Sequence, residues 1–140
     1  MPKVRNEISF EEIKERMKPL FEDEGLKLVL LFGSAASGRT YKQSDIDLAF
    51  LYDKSVDIFL LTNRIISILR SDTIDVVDLK RASPLLKFAI ARDCVLLYEN
   101  GEGVFNEFYS LAFRMYVDAK KLRDAHATGI KLFLRARGLA

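Results

Sequence analysis

The chain has 140 residues, 49% of them hydrophobic, which supports one domain with a core of its own and leaves too little length for two ordinary ones. A net charge of +2 with acids and bases interspersed argues against a general polyanion binder, so no direct nucleic-acid binding is expected. A single cysteine excludes an internal disulfide, and neither a signal-peptide core nor a run long enough to span a membrane is present, so a cytoplasmic protein is expected.

In chain order, Ser9 and Glu12 form a capping box that opens a helix running toward Glu24 and Gly25, with Pro19 expected to kink or split it. Leu26 to Phe32 is a short apolar run bounded by Gly25 and Gly33, the pattern of a buried strand. Gly33 and Ser34 follow at its carboxyl end. A glycine there lets the backbone approach a phosphate closely, and Ser34 offers an N–H and a hydroxyl at the start of a short helical turn over residues 35–37.

Asp45 to Tyr52 reads as a second strand, and the i, i+2 spacing of Asp45 and Asp47 sets both carboxylates on one face. At roughly 6 Å and an effective dielectric of about 20, two such charges repel by about 3 kcal/mol. A divalent cation reverses that cost, and magnesium suits oxygen ligands completed by substrate phosphates. Ser44 either caps this strand or helps to hold phosphate.

Residues 55–70 carry apolar side chains at helical spacing, and Asp53, Asp57 and Asp72 fit turn and helix-start positions. Thr73 to Leu79 is a third strand beside the acidic one. It holds Asp75 and Asp78 on opposite faces, so one of them joins the site as a third acid, and Asp75 is the choice here. Lys80, Arg81, Lys87 and Arg92 follow and are either surface charges or phosphate clamps, with Lys80 and Arg81 adjoining the site in sequence. Ser83 and Pro84 open another helix, Cys94 to Tyr98 is a buried strand with a structural cysteine, and the break at 100–103 precedes a long helix with an apolar stripe. From Arg114 onward seven Lys or Arg stand against two Asp. This basic, partly apolar tail is either a solvated helix end or a segment for docking a partner. His126 lies on its polar surface without a second ligand type, which argues against zinc.

The tract from Leu31 to Leu48, with its Gly33-Ser34 turn and Asp45-Ile46-Asp47, resembles the signature of the DNA polymerase beta-type nucleotidyltransferase superfamily. The tract from Ile74 to Tyr98 is similar to the minimal, MNT-type branch. The fold expected is α/β: a small mixed twisted sheet of about four strands flanked by helices, like the polymerase beta palm. Residues 1–140 would form a single minimal nucleotidyltransferase domain, with 104–140 a C-terminal helical segment that serves for docking. The resemblance implies that Gly33 and Ser34 contact the triphosphate of ATP, that Asp45 and Asp47 hold two Mg²⁺, and that Asp75 completes the acidic triad. Ser37 and Arg39 depart from the family pattern around Gly38. Many MNT-type proteins are antitoxins that transfer AMP from ATP to a tyrosine of a HEPN-domain toxin, and the resemblance implies that activity and that partner. Two other readings stand beside it: a binding module that neutralises a toxin by occlusion, and transfer to RNA or a small molecule. Assembly with further copies of the chain is compatible with either.

Overall fold

The two most apolar segments become the two central strands. In the computed structural model, which describes residues 7–33, 40–42, 46–71 and 74–138 (backbone only at 7 and 40–42), Leu26–Phe32 (β2) lies between two antiparallel neighbours. One neighbour is Ile46–Tyr52 (β4), and the other is Val95–Glu99 (β6). The edge strand Ile74–Asp78 (β5) runs parallel to β4, a pairing that requires a crossover, supplied by the helix Ile58–Leu69 (α2). The resulting sheet is mixed and four-stranded, as expected from the sequence, and its strand order is β5-β4-β2-β6.

Period-two alternation sorts the side chains of these strands onto two faces. Leu48, Phe50 and Tyr52 meet Ile13, Met17 and Leu20 of the helix Phe10–Phe21 (α1) and Leu61, Ile65 and Leu69 of α2. Ala49 and Leu51 face the other way with Leu30, Phe32 and Val77, under Ile90 of the helix Pro84–Asp93 (α3) and under Phe105 and Phe108 of the helix Val104–Ala136 (α4). Phe88 stacks on Tyr116 at 4.5 Å and tilts against Phe113 at 5.7 Å, which fixes α3 on α4.

Local signals account for the helix starts. Ser9, Asp57 and Ser83 each accept a hydrogen bond from the backbone N–H three residues on, at 3.2 Å, and Pro84 takes the first helical position of α3. Pro19 does not split α1, which runs unbroken to Phe21. Lying in the last turn, it removes one N–H whose partner would have been the Glu15 carbonyl, so little is lost.

Two short strands went unforeseen: Glu7–Ser9 (β1) pairs antiparallel with Thr40–Lys42 (β3). Ile8 is fully buried and anchors this pair in the core. At its other end the chain closes with the 33 residues of α4, about 50 Å of helix. Its first half covers the sheet, whereas residues 120–133 are exposed throughout, Leu122, Ile130 and Phe133 included. Among the described residues no helix is long and apolar enough to cross a membrane.

Candidate active site

The carboxyl end of β2 and the amino ends of β4, β5 and β6 meet at one end of the sheet. Phe32 pairs with Asp47 across β2 and β4, and Asp47 pairs with Asp75 across β4 and β5. Ile46 and Leu48, like Ile74 and Val76, point into the α1–α2 core. Alternation therefore sends Asp47 and Asp75 to the opposite face, side by side on strands about 4.8 Å apart. Asp47 is half-buried and Asp75 exposed.

Gly33 completes the arrangement. Its φ is +91°, in the region that favours glycine, and a Cβ built there would collide with Oδ2 of Asp47. The missing side chain is thus what lets the Asp47 carboxylate lie against the backbone turn that ends β2. Ser34, Ser44 and Asp45 lie outside the described residues, as do the helical turn expected at 35–37 and the departures at Ser37 and Arg39.

Of the two candidates for a third acid, the structure brings Asp75 to Asp47 and sets Asp78 against Phe50, on the other face and about 10 Å further along the strand. The Asp78 carboxylate accepts the Lys80 backbone N–H at 3.1 Å and serves a turn. Lys80 and Arg81 do not reach the acids. The Lys80 ammonium donates to the Asp53 carbonyl at 3.5 Å, past the far end of β4, because the strand carries the chain away from the site. Lys87 faces the same way, beside Lys80, Leu51 and Met115.

The charged pair that does sit at the site end is Arg92 and Asp93, at the close of α3, with Nε to Oδ2 at 3.1 Å. Asp93 lines a 230 Å³ cavity that reaches Gly33. Sixty residues separate Asp93 from Gly33 in sequence, so only the β6 pairing with β2 reveals their proximity. Cys94, next in the chain, caps α3 rather than joining a strand. Its thiol lies 3.5 Å from the Ala91 carbonyl, and burial pushes its pKa up to about 11, in keeping with a structural role.

A larger cavity of 370 Å³ opens at the far end of β4, on the other face. There Tyr52 donates to Asp23 at 3.0 Å, and the Arg64 guanidinium donates to both oxygens of the same carboxylate at 2.8 and 3.0 Å. These groups satisfy one another and hold α1, β4 and α2 together, away from the acids.

Known proteins share this fold. Residues 12–103 match the Polymerase beta, Nucleotidyltransferase family. The protein adenylyltransferase MntA of Aphanizomenon flos-aquae (strain 2012/KM1/D3) is 30% identical over 126 residues, 81% of this chain and 84% of that protein. A chain in the crystal structure of a toxin–antitoxin with AMP-PNP superposes with a TM-score of 0.69 at 26% identity, covering 89% of this chain and 99% of its own length. A chain in the complex of tri-AMPylated Shewanella oneidensis HEPN toxin with MNT antitoxin also gives 0.69, at 25% identity and 87% and 98% coverage. The chain belongs to the polymerase beta nucleotidyltransferase family, in its minimal MNT branch, and is a nucleotidyltransferase.

Proposed function

We propose that this nucleotidyltransferase moves AMP from ATP to a tyrosine hydroxyl of a HEPN-type toxin, with Mg²⁺ as cofactor, and so acts as the antitoxin of the pair. One observation carries the reading. Asp47 and Asp75 stand in register on one sheet face, with the Asp47 carboxylate lying in the space a side chain at Gly33 would fill. The adenylyltransferase relative and the structural neighbours with AMP-PNP and with an AMPylated toxin support the choice of AMP, ATP and a toxin.

The donors fit magnesium, being hard carboxylate oxygens from adjacent strands; the described residues alone gather no group of three ligands, and Asp45 lies outside them. Asp47 and Asp75 would hold the ions together with Asp45. Bound there, they supply the positive charge that lowers the acceptor hydroxyl's pKa and offsets charge on the departing pyrophosphate. The chain's own residues do the rest. The Gly33 backbone and the Ser34 N–H and hydroxyl grip the phosphates, with Ser44 beside them. Asp75 takes the acceptor's proton as its oxygen bonds to the α-phosphorus, and the bond from that phosphorus to the β-phosphate oxygen breaks to release pyrophosphate.

Residues 1–140 act as one unit in this account, and the exposed apolar and basic half of α4, within 104–140, docks the toxin. The cytoplasm, where ATP and magnesium are plentiful, is the setting that follows.

Neutralisation of the toxin tests the reading. A toxin treated with this protein, ATP and Mg²⁺ should stay inactive after the two are separated, and Asp45→Asn with Asp47→Asn should abolish the effect. Inhibition that persists in the double variant, or that vanishes on separation, would mean occlusion without turnover. Adenylate found on RNA or a small molecule in place of the toxin would redirect the acceptor.

A further inference from the structure

A cavity of 180 Å³ opens between α3, α4 and the far end of β4, and the chemistry of the acids leaves it unused. Leu79 and Ala112 are buried at its base, Leu111 and Met115 wall it, and Lys80 and Lys87 reach it from the turn after β5 and from α3. Neither ammonium pairs with a carboxylate among the described residues, and Lys80 reaches only the Asp53 carbonyl, at 3.5 Å.

This combination defines the ligand. The volume lies well below the roughly 300–1,000 Å³ that encloses a small molecule, so the cavity takes one side chain, and its walls require that side chain to be apolar. Two unpaired ammoniums at the rim call for carboxylates beside it, each gaining a charge-assisted bond as contact excludes water. The surface beyond the cavity decides what carries these groups. Leu111 and Met115 begin a stripe that continues at whole-turn spacings through Leu122, Ile130 and Phe133, all three exposed on one face of α4. From Arg114 onward seven Lys or Arg stand against Asp118 and Asp124. An apolar stripe on a basic helix is matched by an amphipathic helix with acids beside its apolar face. A second copy of this chain would set basic flank against basic flank, which argues against self-pairing.

Resting on the reading of this chain as an antitoxin, we propose that the cavity anchors an acidic amphipathic helix of the toxin, with one apolar side chain inserted, carboxylates on Lys80 and Lys87, and the helix laid along α4. Leu51, in its lining, faces the same side of the sheet as Asp47, four residues along β4 and about 13 Å away. Docking is therefore set apart from the reacting groups, and pairing requires neither ATP nor the acids.

Calorimetry of the full chain with the toxin, in the absence of nucleotide, tests this. Lys80→Glu with Lys87→Glu changes an exposed and a half-buried side chain outside the core, so the melting temperature should hold. It should weaken pairing about tenfold or more, whereas Lys80→Arg with Lys87→Arg should stay within about threefold of wild type. Leu111→Glu, also at an exposed position, should weaken pairing on the same scale as the charge reversal. Carbodiimide, which joins a lysine amine to a carboxylate in contact with it, should link Lys80 or Lys87 to an Asp or Glu of the toxin. Unchanged pairing in the Glu variants, or a complex without such a link, would overturn the anchor. So would a wild-type dimer that Leu111→Glu dissociates, or loss of binding to phosphatidylserine vesicles, with toxin affinity intact in either case, because a second copy or an anionic membrane would then be the occupant. Transfer of AMP is read separately. A wild type that pairs through the lysines but labels no toxin would overturn the transfer and leave the anchor standing; labelling with unchanged pairing in the variants would do the reverse. A wild type that does not bind the toxin would overturn both.

Discussion

Asp47 and Asp75 are direct register partners across the parallel pair β4–β5, although 28 residues and a helix separate them in sequence. The pairing concentrates negative charge, a cost to the fold unless it serves a cation. Asp47→Asn and Asp75→Asn should therefore each lower turnover by about 10²–10⁴-fold, the range for loss of a positioned acid or base. Asp78→Asn should stay within about threefold of wild type, because Asp78 sits against Phe50 on the other face. Rate measurements on the three variants check this, and equal losses at 75 and 78 would contradict it.

Gly33 and Asp47 should behave as a coupled pair. Gly33→Ala meets a positive φ and the Asp47 carboxylate together, and strained backbone alone costs of order 1–3 kcal/mol. In an Asp47→Ala background the collision disappears and only the backbone cost remains. A double-mutant cycle in urea should give a coupling of about 1 kcal/mol or more, whereas additive effects would show that the two do not touch.

The Tyr52 phenol predicts a pH dependence. Burial, the hydrogen bond to Asp23 and that carboxylate's charge raise its pKa, in that order, with Arg64 opposing. The stabilisation is complete below about pH 10, where the unfolded phenol also keeps its proton, and it is lost as the pH rises further. Tyr52→Phe should lose about 1 kcal/mol at pH 7, and its deficit against wild type should shrink above about pH 10. A deficit independent of pH would contradict the assignment.

The outer half of α4 should be dispensable for the enzyme's own fold. Leu122→Asp with Phe133→Asp changes two exposed side chains, so melting temperature and nucleotide affinity should hold. Affinity for the toxin should fall by about tenfold or more, the loss typical of central apolar contacts at an interface. Unchanged pairing would place docking elsewhere.

Much of this was legible in the residues. Leu26 to Phe32 and the apolar residues after Asp45 announce strands through uninterrupted hydrophobicity, and Ser9, Asp57 and Ser83 announce helices through cap chemistry that acts within one turn. The β1–β3 pair was not legible. Three-residue strands carry no periodicity, and this one forms because Ile8 finds the core. Lys80 and Arg81 mislead for a related reason: they follow Asp75 closely, but an extended strand carries them away from it. Asp93 was missed because its link to Gly33 is tertiary.

The most direct test is transfer of label from ATP to the toxin in the presence of Mg²⁺, comparing phosphorus label at the α and γ positions. The account predicts that label from the α position alone becomes covalently attached to a tyrosine of the toxin, and that Asp47→Asn leaves the toxin unlabelled. Transfer of γ label, or a toxin that stays unlabelled while this protein neutralises it, would contradict the account.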